Sequence, residues 1–392
     1  MKILFLSRQL NIGGAERQLV TLANALAARG HDIVIASYYP GGAFTQMLDS
    51  KRIRLISYEK KSRWDLFTLF FKTLRIVRDE QPTVLHGWMH TQNVVATVAK
   101  VLNPRLTMVW AVRASNLETV LDWTEKLTIW LQARLSCFAT SITVNSMAGL
   151  EYAVQGGLPR EKMVFIPNGI DTNAFYPSEG ERHRVRAQWN MGDDVKIVGN
   201  ISRFDPIKNH KMFLKAAALV AAKRPDVRFV CVGHGKESYL QELKQLSRTL
   251  GLESKVHWIQ AESEVRAAYN AIDVFCSSSF SEGFPNVIGE AMACGCHCVA
   301  TDVGDSALVV GDTGVIVPSD DAQALSAGLL DRLRAPETLN MRARQRILEN
   351  FTVAHLGDKS EYALYQAVQQ SQPKLRHNEK VARSPRPAVE GK

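Results

Sequence analysis

The chain has 392 residues, 46% of them hydrophobic and 22% charged, with a formal net charge of +9. That length exceeds one ordinary core and points to two domains, and no run approaches the ~20 apolar residues needed to cross a bilayer. The composition is that of a globular rather than a fibrous or disordered protein, and six cysteines set mostly in apolar segments fit a reducing compartment better than a disulfide scaffold.

Lys2–Ser7 reads as a short buried strand, interrupted at once by Arg8 and too short for the apolar core of a signal peptide; the expected location is the cytoplasm. Asn11-Ile12-Gly13-Gly14 then turns into an amphipathic helix over Arg17–Arg29, closed by Gly30. Strand, glycine turn and helix open a doubly wound α/β sheet, and Gly13 and Gly14 let a ligand approach the backbone closely. Asp32–Tyr38 and Ile53–Ile56 read as the next two strands. From Lys51 to Arg78 nine Lys or Arg stand against two acids, Glu59 and Asp65, and Trp64–Arg78 reads as a helix with an aromatic-aliphatic face. Such a face ordinarily packs on the sheet; with the basic excess around it, it also suits the surface of an anionic membrane.

Pro82–His90 reads as a strand running into a loop at the sheet's C-terminal edge, where open α/β sheets bind ligands, and it carries His86 and His90. Val109–Val112 ends in Arg113 at the same edge, a candidate acceptor contact. Ser141–Asn145 and Val164–Pro167 complete a first sheet, and Phe175–Arg184 reads as a linker. A second sheet starts at Val195–Ile201, which leads through Ser202-Arg203-Phe204-Asp205-Pro206-Ile207-Lys208 to a helix over Lys211–Lys223. Arg203 and Lys208 stand where cations can reach a diphosphate, Arg as a flat fork and Lys as a point charge. Val227–Val232 leads to Gly233, which again opens the backbone, and Val256–Ile259 leads to Gln260.

Ala271–Ser279 reads as a strand before a tight turn at Glu282-Gly283-Phe284-Pro285 and a helix. Pro285 suits the first helical turn, where a missing N–H costs nothing. The N–H groups of Asn286, Val287 and Ile288 are then left for an anion. Glu282 and Glu290 beside them can accept from sugar and ribose hydroxyls. Val299–Thr301 is a further strand, Phe351–Val368 a last helix, and the polar, basic stretch after Gln370 reads as disordered. Cys294, Cys296, Cys298 and His297 do not read as a metal site. Alternating along a helix end and a strand start, they cannot easily converge tetrahedrally, and no second pair exists.

E-G-F-P-N-V-x-G-E-A-M-A-C-G, Glu282 to Gly295, resembles the E-x7-E motif of the retaining, family 4 or group 1 glycosyltransferases. R-F-D-P-x-K (Arg203 to Lys208) is similar to that family's donor-phosphate motif, G-G-A-E-R (Gly13 to Arg17) to its first loop, and Asn168–Asp171 to its N-G-I-D junction. The resemblance covers about residues 1–370 and implies the α/β GT-B fold, two Rossmann-like doubly wound domains facing each other across a cleft. Residues 1–170 would take the acceptor and 171–350 the nucleotide-sugar donor, with 351–370 a helix crossing back and 371–392 a basic tail. The implied reaction is retaining transfer of a hexose-type sugar from a UDP- or GDP-linked donor to a glycan or lipid-linked acceptor, in polysaccharide or glycolipid synthesis.

Carried onto this chain, the family pattern has Arg203 and Lys208 neutralise the departing diphosphate with the helix start at Phe284, Pro285, Asn286 and Val287. Glu290 would hold the ribose and Glu282 the sugar ring, and Ile259 and Gln260 fall at the nucleobase. Gly13 and Gly14 line the cleft opposite the donor and, with Gly233, complete the donor-binding set. Many family members carry a histidine where this chain has Trp88, so either His86 or His90 takes over the contact to the transferred sugar or the role is absent from this chain. Family members also often have proline where His297 stands. No metal is required, because Lys and Arg take its place, and no nucleic-acid module is present. A peripheral contact at the inner face of an anionic membrane fits the family's acceptors. Two other readings compete. A non-catalytic glycan- or lipid-binding relative would not need Arg203, Lys208, Glu282 and Glu290 together, and the pairing of the two motifs disfavours a nucleotide-sugar epimerase on the same fold.

Overall fold

Two parallel sheets, each wrapped by helices, make up the computed structural model, which describes residues 1–60, 65–113, 123–260, 265–335 and 338–371. The first sheet has the order β3-β2-β1-β4-β5-β6-β7, from β1 (Lys2–Ser7), β2 (Asp32–Ser37), β3 (Ile53–Ser57), β4 (Val84–Trp88), β5 (Thr107–Val112), β6 (Ser141–Val144) and β7 (Met163–Phe165). The second has the order β10-β9-β8-β11-β12-β13, from β8 (Ile197–Ile201), β9 (Arg228–Gly233), β10 (Val256–Gln260), β11 (Val274–Ser277), β12 (His297–Thr301) and β13 (Val315–Val317). The pairings are parallel. Parallel strands are covered on both faces, which is why KILFLS and TMVWAV are apolar and buried almost throughout rather than alternating. Each strand order reverses once, between β1 and β4 and between β8 and β11. The crevice outside the strand ends at such a switch point is where doubly wound folds take ligands.

In the first half the helices are α1 (Gly14–Ala28), α2 (Leu66–Glu80), α3 (His90–Leu102), α4 (Trp123–Leu135) and α5 (Met147–Gln155). They continue as α6 (Glu179–Gln188), α7 (His210–Lys223), α8 (Glu237–Thr249), α9 (Val265–Ala271), α10 (Asn286–Ala293), α11 (Ser306–Val310), α12 (Ala322–Arg332), α13 (Met341–Asn350) and α14 (Val353–Ser371). The segment expected to be a linker is largely helix. Ser178 caps α6 by accepting from Glu181 N–H, and Arg182 and Arg186 both reach Asp273 at 2.7 Å. Asp273 also accepts from Ile197 N–H at 2.8 Å. Arg186 and Asp273 are buried, and removing one partner of a buried ion pair typically costs ~3–5 kcal/mol, so α6 is an anchored part of the second half. Near β11, Ala271 ends a helix rather than starting the strand.

The chain passes between the halves twice, side by side: Ile170 N–H donates to Phe351 O at 2.7 Å. Gln18 grips the same crossing, donating to Gly169 O (3.0 Å) and accepting from Gly169 N–H (3.1 Å). Helix α14 then returns to the first half. Its Leu356, Leu364 and Val368 share one core with Phe5 and Leu19, and Asp358 and Glu361 pair with Arg29 and His31 (2.8 and 2.7 Å). Residues 372–392, most of the expected basic tail, lie outside the described residues. Among the described residues no helix is long and apolar enough to cross a membrane.

Helix α2 turns Leu69 inward but leaves Phe67 and Phe71 exposed, their rings stacked 6.4 Å apart. The basic excess around it is thinner than the window Lys51–Arg78 suggests. Arg54 and Lys2 pair with Glu80 (2.7 and 2.8 Å), and Arg75 and Arg78 with Asp79 (3.5 and 3.2 Å), acids just beyond that window. Lys61, Arg63 and Trp64 lie outside the described residues.

Candidate active site

At the second switch point residues 202–209 turn over the end of β8. Asp205 caps the short turn Pro206–Lys208 by accepting from Ile207 N–H (3.0 Å). Phe280 N–H donates to Ile207 O (2.8 Å) and Ser278 Oγ to Lys208 O (3.0 Å), which ties this loop to the end of β11. Held there, Lys208 Nζ meets Glu282 Oε1 at 2.5 Å, and Ser279 Oγ donates to the same oxygen at 2.7 Å. Two motifs separated by 74 positions are thus brought into contact. Arg203 stands exposed on the same loop, with no ion pair among the described residues.

The helix beyond the turn starts one residue later than expected. Pro285 precedes α10 as its cap (φ −81°, ψ 86°). Ile288 N–H turns back to Pro285 O at 3.1 Å, so the helix start offers the amides of Asn286 and Val287, and the third expected donor is already used. Phe284 is buried against Phe351, ring centroids 5.6 Å apart, and it anchors the turn. Glu290 lies inside the interface between the halves, its side chain 4% exposed. Its Oε1 pairs with Arg17 of the first half, and its Oε2 accepts from Tyr269 O–H at 3.2 Å. Asn286 Oδ1 accepts from Asn168 Nδ2 at 2.9 Å. A Cβ on Gly14 would stand 3.5 Å from Asn286 Nδ2, so the loop of Gly13 and Gly14 faces the start of α10 across the cleft. Gly233 ends β9 where a side chain would overlap Ser202 O; close approach of two backbones requires glycine there. Gln260 pairs in register with Gly233 at the end of β10, next to Ile259, and residues 261–264 beyond it lie outside the described residues.

The first switch point is filled. Trp88 ends β4, and its indole N–H donates to Ala15 O at 3.1 Å. Met89 follows at φ 83°, ψ 172°, a conformation suited to glycine that costs other residues ~1–3 kcal/mol and tends to occur at functional sites. In place of the expected loop, α3 starts directly at His90, whose Nδ1 lies 2.5 Å from Gln132 Oε1 on α4. Burial lowers the pKa of His90. His86 is not brought to the opening: it is buried against the rings of Phe5 and Trp88 (5.1 and 5.7 Å), and burial pushes its pKa down to about 3. Arg113 lies over the Trp88 ring at 4.3 Å and donates through one terminal nitrogen to Asn168 Oδ1 (3.3 Å). Its Nε is buried without a partner, and burial lowers its pKa to about 9. Arg113, Asn168 and Asn286 therefore form a relay from the first sheet to the start of α10.

Three site residues were not singled out from the sequence. Arg17 is the last letter of G-G-A-E-R and could have been read with the loop. Tyr269 carries no pattern, and Asp305 belongs to none of the motifs. Asp305 accepts from Met147 and Ala148 N–H (2.9 and 3.2 Å) across the interface. Cys294, Cys296 and Cys298 pack in the core of the second half; Cys296 Sγ donates to Tyr269 O at 3.2 Å, and burial raises the pKa of all three thiols.

Two doubly wound halves with facing switch points, one holding a cation–carboxylate pair beside an open helix start, make up a GT-B architecture. Residues 195–335 match the family described as Glycosyl transferases group 1, and residues 12–174 match Glycosyltransferase Family 4. The matches fall on the two halves in turn, and the chain belongs to the glycosyltransferases of this group 1, family 4 type. It is 28% identical over 375 residues to the GalNAc-alpha-(1->4)-GalNAc-alpha-(1->3)-diNAcBac-PP-undecaprenol alpha-1,4-N-acetyl-D-galactosaminyltransferase of Campylobacter jejuni, covering 92% of this chain and 97% of that one. It is 30% identical over 187 residues to the Bacillus subtilis protein EpsF, a match that takes in 47% of this chain and spans about half, 48%, of that relative. Among solved structures, Anabaena Alr3699/HepE in complex with UDP aligns with 93% of this chain and 100% of its own, with a TM-score of 0.82 at 23% identity, a likeness of fold.

Proposed function

We propose that the protein is a retaining transferase that moves a hexose-type sugar from a UDP- or GDP-linked donor to a glycan or lipid-linked acceptor. The observation that carries this reading is the contact of Lys208 with Glu282 beside the open start of α10. Lys208 and Arg203, with the amides of Asn286 and Val287, face the charge that grows on the departing diphosphate. Preorganised stabilisation of this kind is commonly the largest catalytic contribution. A diphosphate carries more charge than one carboxylate and competes with Glu282 for Lys208, which releases Glu282 to the sugar hydroxyls. Glu290 holds the ribose, Ile259 and Gln260 border the base, and Gly13, Gly14 and Gly233 keep the walls close to the donor. Arg113 serves the acceptor side and His90 the transferred sugar, while His86 packs the core. The printed name of the Campylobacter relative gives it a PP-undecaprenol-linked acceptor, which supports a lipid-linked acceptor here.

Screening UDP- and GDP-hexoses for protection against thermal unfolding tests the reading, because a ligand of the folded state alone raises its apparent stability. One base class is expected to protect, the product to keep the donor's anomeric configuration, and transfer to survive EDTA, since Arg203 and Lys208 occupy the cation's place. No protection by any nucleotide sugar or nucleoside diphosphate overturns the reading. Loss in EDTA restored by Mg²⁺ overturns the metal-free role of the two cations. The exposed, stacked Phe67–Phe71 pair, on the same half as the exposed Lys51 and Arg52, also supports weak docking on anionic membrane at the cytoplasmic face. Sedimentation with anionic liposomes should show binding that salt weakens, and equal binding to neutral vesicles, or none to either, rejects it.

A further inference from the structure

The segment Asp302–Asp305 leaves β12 and runs back behind the turn that carries Glu282. Gly304 lies so close to that turn that a Cβ would stand 2.3 Å from Glu282 O and 2.6 Å from Gly283 O, and its φ of +56° is one that glycine adopts freely. Asp305 N–H donates to Gly283 O at 2.9 Å. The main chain of these two residues therefore braces the Glu282–Gly283 turn.

The side chain of Asp305 goes the other way, out of its own half. Its Oδ2 accepts from Met147 N–H (2.9 Å) and its Oδ1 from Ala148 N–H (3.2 Å), the first two amides of α5. Ser146 takes the third, Gly149 N–H to Oγ at 2.9 Å. The start of α5 is thus capped jointly by its own half and by the opposite one. A carboxylate on helix-start amides gains from charge-assisted bonds and from the helix dipole, and Asp305 is 3% exposed. Both partners are polar groups that water can also satisfy, so separation of the halves would leave neither the carboxylate nor the two amides unpaired. Alongside it lies a crevice of about 290 Å³ between Glu151 and Tyr152 of α5 and Phe280–Glu282 of the opposite half.

We propose that Asp305 is a positioning residue: it clasps the two domains shut through α5 and, through its own backbone, sets Glu282 against Lys208. The proposal rests on the roles given above to Lys208 and Glu282. Closure that assembles a catalytic constellation is a general means of restricting turnover to the shut cleft. Here one residue carries both ends of that coupling, with a side chain on α5 and an N–H on the Glu282 turn.

Two variants of the full-length protein test it. Met147→Pro deletes the amide bonded to Asp305 Oδ2 while sparing the helix. Proline is favoured at the first helical position, and Ser146 is already extended (φ −145°, ψ 149°), as the residue before proline requires. Asp305→Ala deletes the carboxylate. Small-angle scattering, with and without UDP as probe, should show both variants expanded relative to wild type. With the donor, kcat should fall on the order of 10–10²-fold while the donor KM stays within about threefold, the scale expected when a reacting group is misplaced and binding is kept. A purely structural role would lower the folded fraction, read by circular dichroism, and leave kcat per folded molecule at the wild-type value. Wild-type dimensions in both variants overturn the clasp, and expansion with unchanged kcat overturns the coupling to Glu282. If Asp305→Ala does not fold, Met147→Pro carries the comparison. If the wild type transfers no sugar, the function proposed above fails, and the scattering still decides whether Asp305 clasps the domains.

Discussion

The two switch points are built from opposite materials. Between β1 and β4 the crevice is packed: Trp88 is bonded to Ala15, Arg113 lies over its ring, His86 is buried and Met89 sits in strained backbone. Between β8 and β11 the groups are charged and exchangeable: Lys208 pairs with Glu282, and Arg203 stands exposed. The first has its shape set before a ligand arrives. The second holds its charges in pairs that a ligand's own charges replace. Under the proposed function, the work of bond breaking falls to the second crevice and the fit of the incoming acceptor to the first.

Lys208→Ala is the substitution that can break this division outright. If Lys208 stabilises charge that grows as the sugar–phosphate bond opens, kcat and kcat/KM should fall together by on the order of 10²–10³, the cost of removing one preorganised electrostatic donor. Steady-state kinetics with the protecting donor measures it. A variant with near-normal kcat would place the electrostatic work elsewhere and leave the contrast between the crevices without mechanistic meaning.

How much of this was legible follows from what kind of interaction carries each feature. Lys208, Arg203, Glu282 and Glu290 could be singled out because they stand in two motifs of restricted residue types, R-F-D-P-x-K and E-G-F-P-N-V-x-G-E, and the structure brings Lys208 and Glu282 of these motifs into contact. His86 was misplaced for the opposite reason: a parallel strand buried on both faces has no polar side, so V-L-H-G-W does not tell a core histidine from one at the opening. The strain at Met89, which replaces a loop by the start of α3, depends on backbone angles that no side chain announces. Helix α6 read as a linker because its charges turn inward to Asp273, where sequence alone expects them in water. Contacts across the cleft were invisible altogether, since Arg17 and Glu290 lie 273 positions apart and only the closed arrangement of the halves joins them.

Glu290 belongs to both crevices, so it can sharpen the comparison with a smaller effect. One carboxylate oxygen faces Arg17 from the packed half, and the other accepts from Tyr269. Glu290→Gln keeps an oxygen for Arg17 and presents its amide to the Tyr269 hydroxyl, which can accept, so the fold should tolerate the change. If Glu290 holds the ribose as proposed, its charged acceptor is lost, and a hydrogen bond to a charged group contributes ~1.5–3 kcal/mol, so the donor KM should rise on the order of 10–10²-fold. The ribose does not react, and a contact made equally before and during the reaction leaves kcat unchanged. Arg17→Gln frees Glu290 from its partner and should leave the donor KM unchanged or lower it. Kinetics of wild type, both single variants and the double variant decide between two roles, because interacting sites depart from additivity. If Arg17→Gln raises KM as Glu290→Gln does and the double variant is no worse than either, Glu290 serves the bridge between the halves and the ribose is held by other groups.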